Sequence, residues 1–142
     1  SQAKFVETTK ILHKRYDLLR MLLWIESIDL KEKCNYNFHT IVYLFGYNIE
    51  DISIKAEQVS ISKILIDLKY KYDDRILLIP IASNLNIESV NLIKQKYKIK
   101  DVPVIIIDEE TIIDNLPTFK ELEDIIFKQK VLKSSNLNFN NY

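Results

Sequence analysis

The feature that most constrains the fold is a proline directly before a run of β-branched residues, within residues 99–108 (IKDVPVIIID). Proline has no backbone N–H and is excluded from central sheet positions, so Pro103 must open a strand over residues 104–107. The site also allows a cis Val102-Pro103 bond, which would turn the chain sharply from a preceding helix into the sheet. The pattern therefore predicts a strand that begins at this proline.

Three other apolar segments are rich in β-branched or aromatic residues and predict further strands. They are residues 40–45, 76–82 and 111–114. Pro80 lies inside the second of these segments and predicts an edge strand or a bulge. The turn Asp108-Glu109-Glu110 is short enough for a hairpin, so the fourth strand should be antiparallel to the third, with its carboxylates in solvent.

Helical spacing of apolar residues predicts helices over residues 4–26, 52–72 and 87–97, and a last helix that starts at residues 117–118. The predicted inner row of the second helix is Ile54, Gln58, Ile61, Leu65 and Leu68. Asp51 and Glu50 suit the N-terminus of the second helix, and Thr118 and Glu121 have capping-box spacing. Residues 27–37 predict a short helix or turn before the first strand. Gly46, the only glycine, predicts a positive φ angle or a close approach of the chain.

The first helix has an unusually wide apolar surface. Two rows recur at helical spacing: Phe5, Leu12, Tyr16, Leu19 and Leu23, and Ile11, Leu18, Leu22 and Ile25. Because residues 18–25 are apolar almost all round, the domain, a partner or second copy, or lipid must cover them. We favour burial against the domain, with Trp24 as a packing anchor.

Composition and charge narrow the classes of function. Lys+Arg and Asp+Glu number 20 each, and this balance argues against a dedicated nucleic-acid-binding protein. Cys34 is the only cysteine, which excludes an intramolecular disulfide and a cysteine-based metal cluster. His13 and His39 have no partner at metal-ligand spacing, so we expect no metal and no other cofactor. The sequence contains no apolar run of about 18 residues, which is the length that a membrane-spanning helix needs.

The predicted order, one helix followed by β-α-β-α-β-β-α with Pro103 before the third strand, resembles the thioredoxin fold. This resemblance implies an α/β domain whose mixed four-stranded sheet is covered by helices, with a cis proline at that position. It covers residues 40–127. We divide the chain into an N-terminal helical extension (1–35), a thioredoxin-like domain (36–131) and a flexible Asn-rich tail (132–142).

The active-site residues of redox-active thioredoxins are absent from this chain. Those proteins carry Cys-x-x-Cys after the first core strand, where a helix N-terminus lowers the pKa of the nucleophilic thiol. The corresponding residues 46–53 (GYNIEDIS) contain no cysteine, and residues 41–44 lack the buried acid of thioredoxins. Dithiol exchange needs two sulfurs, and no other catalytic constellation is present, so we lean against an enzyme.

The resemblance leaves the proline loop as the candidate binding surface. In thioredoxins this loop pairs with an extended peptide backbone, and Val102 could offer its N–H and C=O in the same way. The favoured hypothesis is a redox-inactive module for protein binding or assembly. Its candidate contacts are Tyr47, Asn48, Ile49, Glu50, Val102 and Pro103.

Two other hypotheses stay open at this level. In the first, the protein is a thiol-dependent redox protein that acts through Cys34, near Lys31 and Lys33, or with a thiol-bearing partner. In the second, the first helix is an oligomerisation element.

A closer resemblance concerns the join between the first helix and the first strand. Residues 22–26, 32–35 and 40–45 (LLWIE, EKCN and TIVYLF) resemble a group of uncharacterised archaeal proteins. In that group a membrane-anchored helical region precedes a thioredoxin-like domain, with or without Cys-x-x-Cys. The resemblance implies an upstream anchor and an extracytoplasmic domain. Without such an anchor the protein would be cytoplasmic, so the localisation stays open.

Overall fold

A computed structural model describes residues 1–128. The elements follow in the order α1 (Gln2–Cys34), β1 (His39–Phe45), α2 (Ile52–Tyr72), β2 (Ile76–Ala82), α3 (Glu88–Lys96), β3 (Val104–Ile107), β4 (Thr111–Ile113) and α4 (Phe119–Glu123). A single turn of 3₁₀-helix, Asp73–Arg75, joins α2 to β2, and a π-helical turn, Asp124–Lys128, follows α4. The predicted flexible tail lies outside the described residues.

The four strands form one mixed sheet in the order β2-β1-β3-β4. Strands β1 and β2 are parallel, whereas β3 is antiparallel to both β1 and β4. This topology confirms the predicted mixed sheet and the predicted hairpin. Pro80 lies in an edge strand, as predicted, opposite Tyr43 of β1. The Val102-Pro103 peptide bond is cis.

Helices cover both faces of the sheet and bury a separate core on each. On one face, α1 and α3 pack through Met21, Trp24 and Val90. On the other face, α2 packs through its predicted inner row, of which Ile61, Leu65 and Leu68 are buried. Helix α4 packs there through buried Leu122. The predicted capping box of α4 is present, because the Thr118 side chain and the Glu121 side chain each bond the other's backbone N–H.

Helix α1 differs from the prediction in its length and in its buried face. It continues through residues 27–34, where a separate short helix or turn was predicted, and ends at Asn35 in a left-handed conformation (φ 52°). The residues it buries are Asp17, Met21, Trp24 and Ser27, at three- and four-residue spacing. Trp24 is only 2% exposed, which confirms it as a packing anchor.

The two predicted apolar rows of α1 are exposed, so the expectation that the domain buries them is wrong. Their nine side chains are between 44% and 72% exposed. The helix docks instead through Met21 and Trp24 and through a hydrogen bond from the Ala82 N–H to Asp17. These groups lie on the side of α1 away from the apolar rows. No helix within residues 1–128 has the length and apolar character to cross a membrane.

Candidate functional site

The predicted proline loop lines a cleft of about 670 Å³. Its lining includes Val102 and Pro103 of the loop, Ile54 of α2 and Ile112 of the edge strand β4. The lining also contains five charged residues: Glu57, Lys98, Lys100, Asp101 and Asp114. Among the loop and turn hydrogen bonds between backbone groups in residues 1–128, none uses the N–H or C=O of Val102. The loop therefore presents a backbone donor and acceptor beside apolar and charged side chains.

The other candidate residues do not share this cleft. Tyr47, Asn48 and Ile49 line a larger groove of about 910 Å³ between α1 and α2. Glu50 is exposed beside the start of α2 and lines neither space. The six residues predicted as one surface are thus divided between two neighbouring concave regions.

Two amide side chains that sequence reasoning missed fix the loop after β1. Gln58 accepts a hydrogen bond from the Gly46 N–H (2.7 Å) and donates one to the Gly46 C=O (3.2 Å). In the same way, Asn84 accepts a hydrogen bond from the Tyr47 N–H (2.7 Å) and donates one to the Tyr47 C=O (2.8 Å). The only sequence signal was a glutamine within the apolar inner row of α2. Because each amide satisfies both backbone groups of its partner, the loop is held in one position.

Gly46 was predicted to need either a positive φ angle or a close approach of the chain. Its φ angle is not positive, so the first alternative does not apply. A Cβ atom at this position would overlap the Ile49 side chain, so the predicted close approach is confirmed. Asn48 supplies the left-handed residue of the turn instead, with φ 53°.

The carboxylate at the start of α2 serves the helix, as predicted. Asp51 Oδ1 accepts hydrogen bonds from the Ser53 N–H (2.9 Å) and the Ile54 N–H (3.2 Å). This is the helix start at which redox-active thioredoxins place their thiols, and here it is occupied by a side-chain cap.

Cys34 lies far from the proline loop along the sheet. It is the exposed last residue of α1 and precedes the N-terminal end of β1. Val104, next to Pro103, pairs with Leu44 near the other end of β1. Seven strand residues span roughly 20 Å. The structure therefore does not bring the thiol to the loop that resembles a thioredoxin active site.

A charged cluster at the Cys34 end of the sheet was also missed. His39 Nδ1 lies 2.7 Å from Asp108 Oδ2, and Lys31 Nζ lies 3.2 Å from Asp108 Oδ1 and 3.3 Å from Glu109 Oε1. The Thr40 N–H and hydroxyl donate to the same two carboxylates. The prediction of a solvated turn is wrong for Asp108 and Glu109, because both are partly buried and paired.

The pKa of Asp108 reports the balance of forces within this cluster. Burial acts to raise that pKa, but the hydrogen bond and charge of His39 and the charge of Lys31 outweigh burial, and the pKa is lowered. Asp108 and Glu109 both adopt positive φ angles, 49° and 63°. The cluster thus holds the β3–β4 turn in a conformation that costs side-chain-bearing residues energy.

A buried acid does occur near the proline end of the sheet, but α1 supplies it rather than β1. Asp17 is 1% exposed and accepts a hydrogen bond from the Ala82 N–H at 3.1 Å. Burial raises its pKa, while the hydrogen bond from Ala82 and the charge of Arg20 act in the opposite direction. Within the described residues its Oδ2 atom has no hydrogen-bond partner.

Comparison with known proteins supports the fold prediction. No protein-family model and no curated protein matches the chain. A solved malarial protein is 21% identical and similar over 65% of this chain and 97% of its own length, with a TM-score of 0.50. Chloroplastic thioredoxin z is 12% identical and similar over 75% of this chain and 89% of its own, with a TM-score of 0.54. The chain therefore has a thioredoxin-like fold.

Proposed function

We propose that this chain is a redox-inactive, protein-binding module built on the thioredoxin-like fold. The observation that carries the proposal is the cleft at Val102-Pro103, where a backbone N–H and C=O lie in a lining that contains both apolar and charged side chains. The lack of any cysteine in residues 46–53 supports binding without dithiol exchange.

An extended peptide segment is the partner that this cleft suits. Such a segment supplies a C=O and an N–H to Val102, in the manner of strand addition to a sheet edge. Its side chains would pack on Ile54 of α2 and Ile112 of β4, which both line the cleft. Backbone pairing would supply affinity, and these two isoleucines would select the side chains.

A peptide selected from a random display library tests the proposal. We expect Ile112→Asp to weaken the binding of the selected peptide at least about tenfold, because it replaces an apolar side chain of the cleft with a charged one. Val59→Asp is the matched control, since Val59 is an exposed β-branched residue that lines the groove and not the cleft. Equal affinity of the two variants would remove the cleft from consideration.

The alternative function remains a thiol-dependent redox protein that uses Cys34 or a thiol-bearing partner. The exposure of Cys34 favours it, because an accessible thiol can form a mixed disulfide. If Cys34 is the reactive group, its alkylation at neutral pH should be faster than that of a model thiol. An alkylation profile that matches a model thiol would exclude it.

The exposed apolar rows of α1 support a further role in assembly. Side chains such as Leu19 and Leu22 are 62% and 54% exposed, and a contiguous apolar surface of this kind is typical of interaction sites. Sedimentation velocity across a range of concentrations tests self-association, and a monomer at every concentration would exclude it. The resemblance to membrane-anchored archaeal proteins, and with it an extracytoplasmic location, remains a hypothesis that an upstream apolar segment would support.

A further inference from the structure

The groove between α1 and α2 has the dimensions and floor of a small-molecule site. Its volume is about 910 Å³, within the range of about 300–1,000 Å³ that is usual for ligand pockets. The floor is apolar and is formed by Tyr43 and Phe45 of β1 and by Leu78 and Pro80 of β2. Exposed Val59 extends the apolar surface along α2.

The walls of this groove are held in place by contacts within the protein. Gln58 and Asn84 fix the backbone of Gly46 and Tyr47, as described above. The Tyr47 ring also contacts the His13 ring of α1, with a centroid separation of 4.4 Å. A ligand would therefore meet a preformed groove and would not have to order the loop itself.

The charges around the groove all have one sign. The ionisable side chains of Arg20, Lys55, Lys63 and His13 line it, and no aspartate or glutamate does. This asymmetry is local, because the chain as a whole carries 20 basic and 20 acidic residues. Within residues 1–128 no ion pair forms on Lys55 or Lys63, whereas Arg20 lies 4.0 Å from Asp17. The groove is thus an apolar trough with uncompensated positive charge.

We propose that this groove binds a single-chain anionic amphiphile of the long-chain carboxylate class. The alkyl chain would lie on the apolar floor along Leu78 and Pro80, and the carboxylate would remain within reach of the cationic rim. Apolar burial supplies the affinity, and the rim selects the sign of the headgroup. This site is separate from the cleft at Val102-Pro103, so either proposal can fail without the other.

Calorimetric titration of the intact chain with alkyl carboxylates, kept below their micelle concentrations, tests the site. We expect one dodecanoate per chain, with affinity rising about two- to fourfold for each methylene added from octanoate to dodecanoate. Dodecylammonium should bind at least about tenfold more weakly than dodecanoate, because the rim repels it. Equal affinity for the two headgroups, or no binding of dodecanoate, would overturn the proposal.

Matched charge reversals locate the site. We expect Lys55→Glu/Lys63→Glu to weaken dodecanoate binding at least about tenfold, whereas Lys96→Glu/Lys120→Glu changes the net charge equally away from the groove and should leave binding unchanged. Equal losses in the two double variants would overturn the proposal. If the first variant fails to fold by circular dichroism, Val59→Asp replaces it. Val59→Asp should lose dodecanoate and Ile112→Asp should keep it, and the reverse result would contradict the site.

Two further measurements distinguish dodecanoate from other occupants of the groove. Flotation with phosphatidylglycerol vesicles, without binding of monomeric dodecanoate, would identify a membrane-docking face and overturn the proposal. Binding of an acidic amphipathic peptide, again without binding of dodecanoate, would identify a protein-docking face and overturn it equally.

Discussion

A carboxylate is fully buried at the proline end of the sheet and partly buried at the hairpin end, and the pKa values of the two shift in opposite directions. At the proline end, Asp17 receives one backbone hydrogen bond, and burial raises its pKa. At the hairpin end, burial of Asp108 is outweighed by His39 and Lys31, and its pKa is lowered. The hairpin end therefore satisfies its own charges and stabilises the fold. At the proline end, the backbone groups of Val102 take part in none of the loop and turn hydrogen bonds of residues 1–128, and Val102 lines a cleft that a partner could enter.

The largest effect is expected from the loss of Lys31. We expect Lys31→Met to lower the free energy of unfolding by about 1–3 kcal/mol, because Glu109 stays partly buried without its cation and Asp108 keeps only His39. Lys33→Met is the control, since Lys33 makes an exposed pair with Asp29 on the same helix and should cost at most about 0.5 kcal/mol. Urea unfolding measures both. Equal costs would show that the cluster does not stabilise the hairpin end.

A smaller effect with a defined pH dependence is expected from Asp108→Asn. Because the pKa of Asp108 is lower in the folded state, its contribution is present above the unfolded value of about 3.8 and is lost as pH falls through the folded pKa. Asparagine tolerates the left-handed backbone, so the substitution isolates the charge. The variant should be less stable by about 1–2 kcal/mol at pH 7, and the difference should shrink in acid. A constant difference would contradict this assignment.

Asp17→Asn should change stability in the opposite sense with pH. A raised pKa in the folded state means that the folded protein binds a proton more tightly than the unfolded chain. The wild type therefore loses stability as pH rises from about 3.8 through the folded pKa, and the variant lacks this loss. In thermal unfolding between pH 4 and pH 8, the stability of the variant relative to the wild type should increase as the pH rises. Parallel curves would mean that the two ends do not differ in this way.

Local signals in the sequence were sufficient for most of the fold. Pro103 before a β-branched run, the capping pair Thr118 and Glu121, and the inner row of α2 each depend on residues within one or two turns of each other. Such signals survive folding because proline geometry, a capping bond and helical period depend on neighbouring residues and not on distant contacts. The element order, and with it the thioredoxin-like fold, followed from these signals.

The buried face of α1 could not be predicted in the same way. Periodicity identified the apolar rows, but the docking of the helix is decided by Trp24 and by the bond between Asp17 and Ala82, which are 65 residues apart. An aspartate within an apolar stretch gives no indication that a distant backbone N–H will receive it. The tertiary contact of Asp17 with Ala82, and not the apolar periodicity of α1, therefore decides which face of the helix is buried.

The charged cluster was missed for a related reason. His39 and Asp108 are 69 residues apart, and only the antiparallel register of β1 and β3, with Ile41 opposite Ile107, brings them together. The predicted contacts of the proline loop were divided for a different reason, because residues of α2 line both the cleft and the groove. Which residues share a segment can be predicted from the sequence, whereas which of them meet depends on how the segments pack.

The most direct test of the central claim is an N-methyl scan of the selected peptide, because it leaves the protein unchanged. Pairing with the backbone of Val102 predicts that N-methylation at one peptide position weakens binding at least about tenfold, through loss of a single N–H, while neighbouring positions tolerate it. Uniform tolerance along the whole peptide would contradict backbone pairing at the proline end.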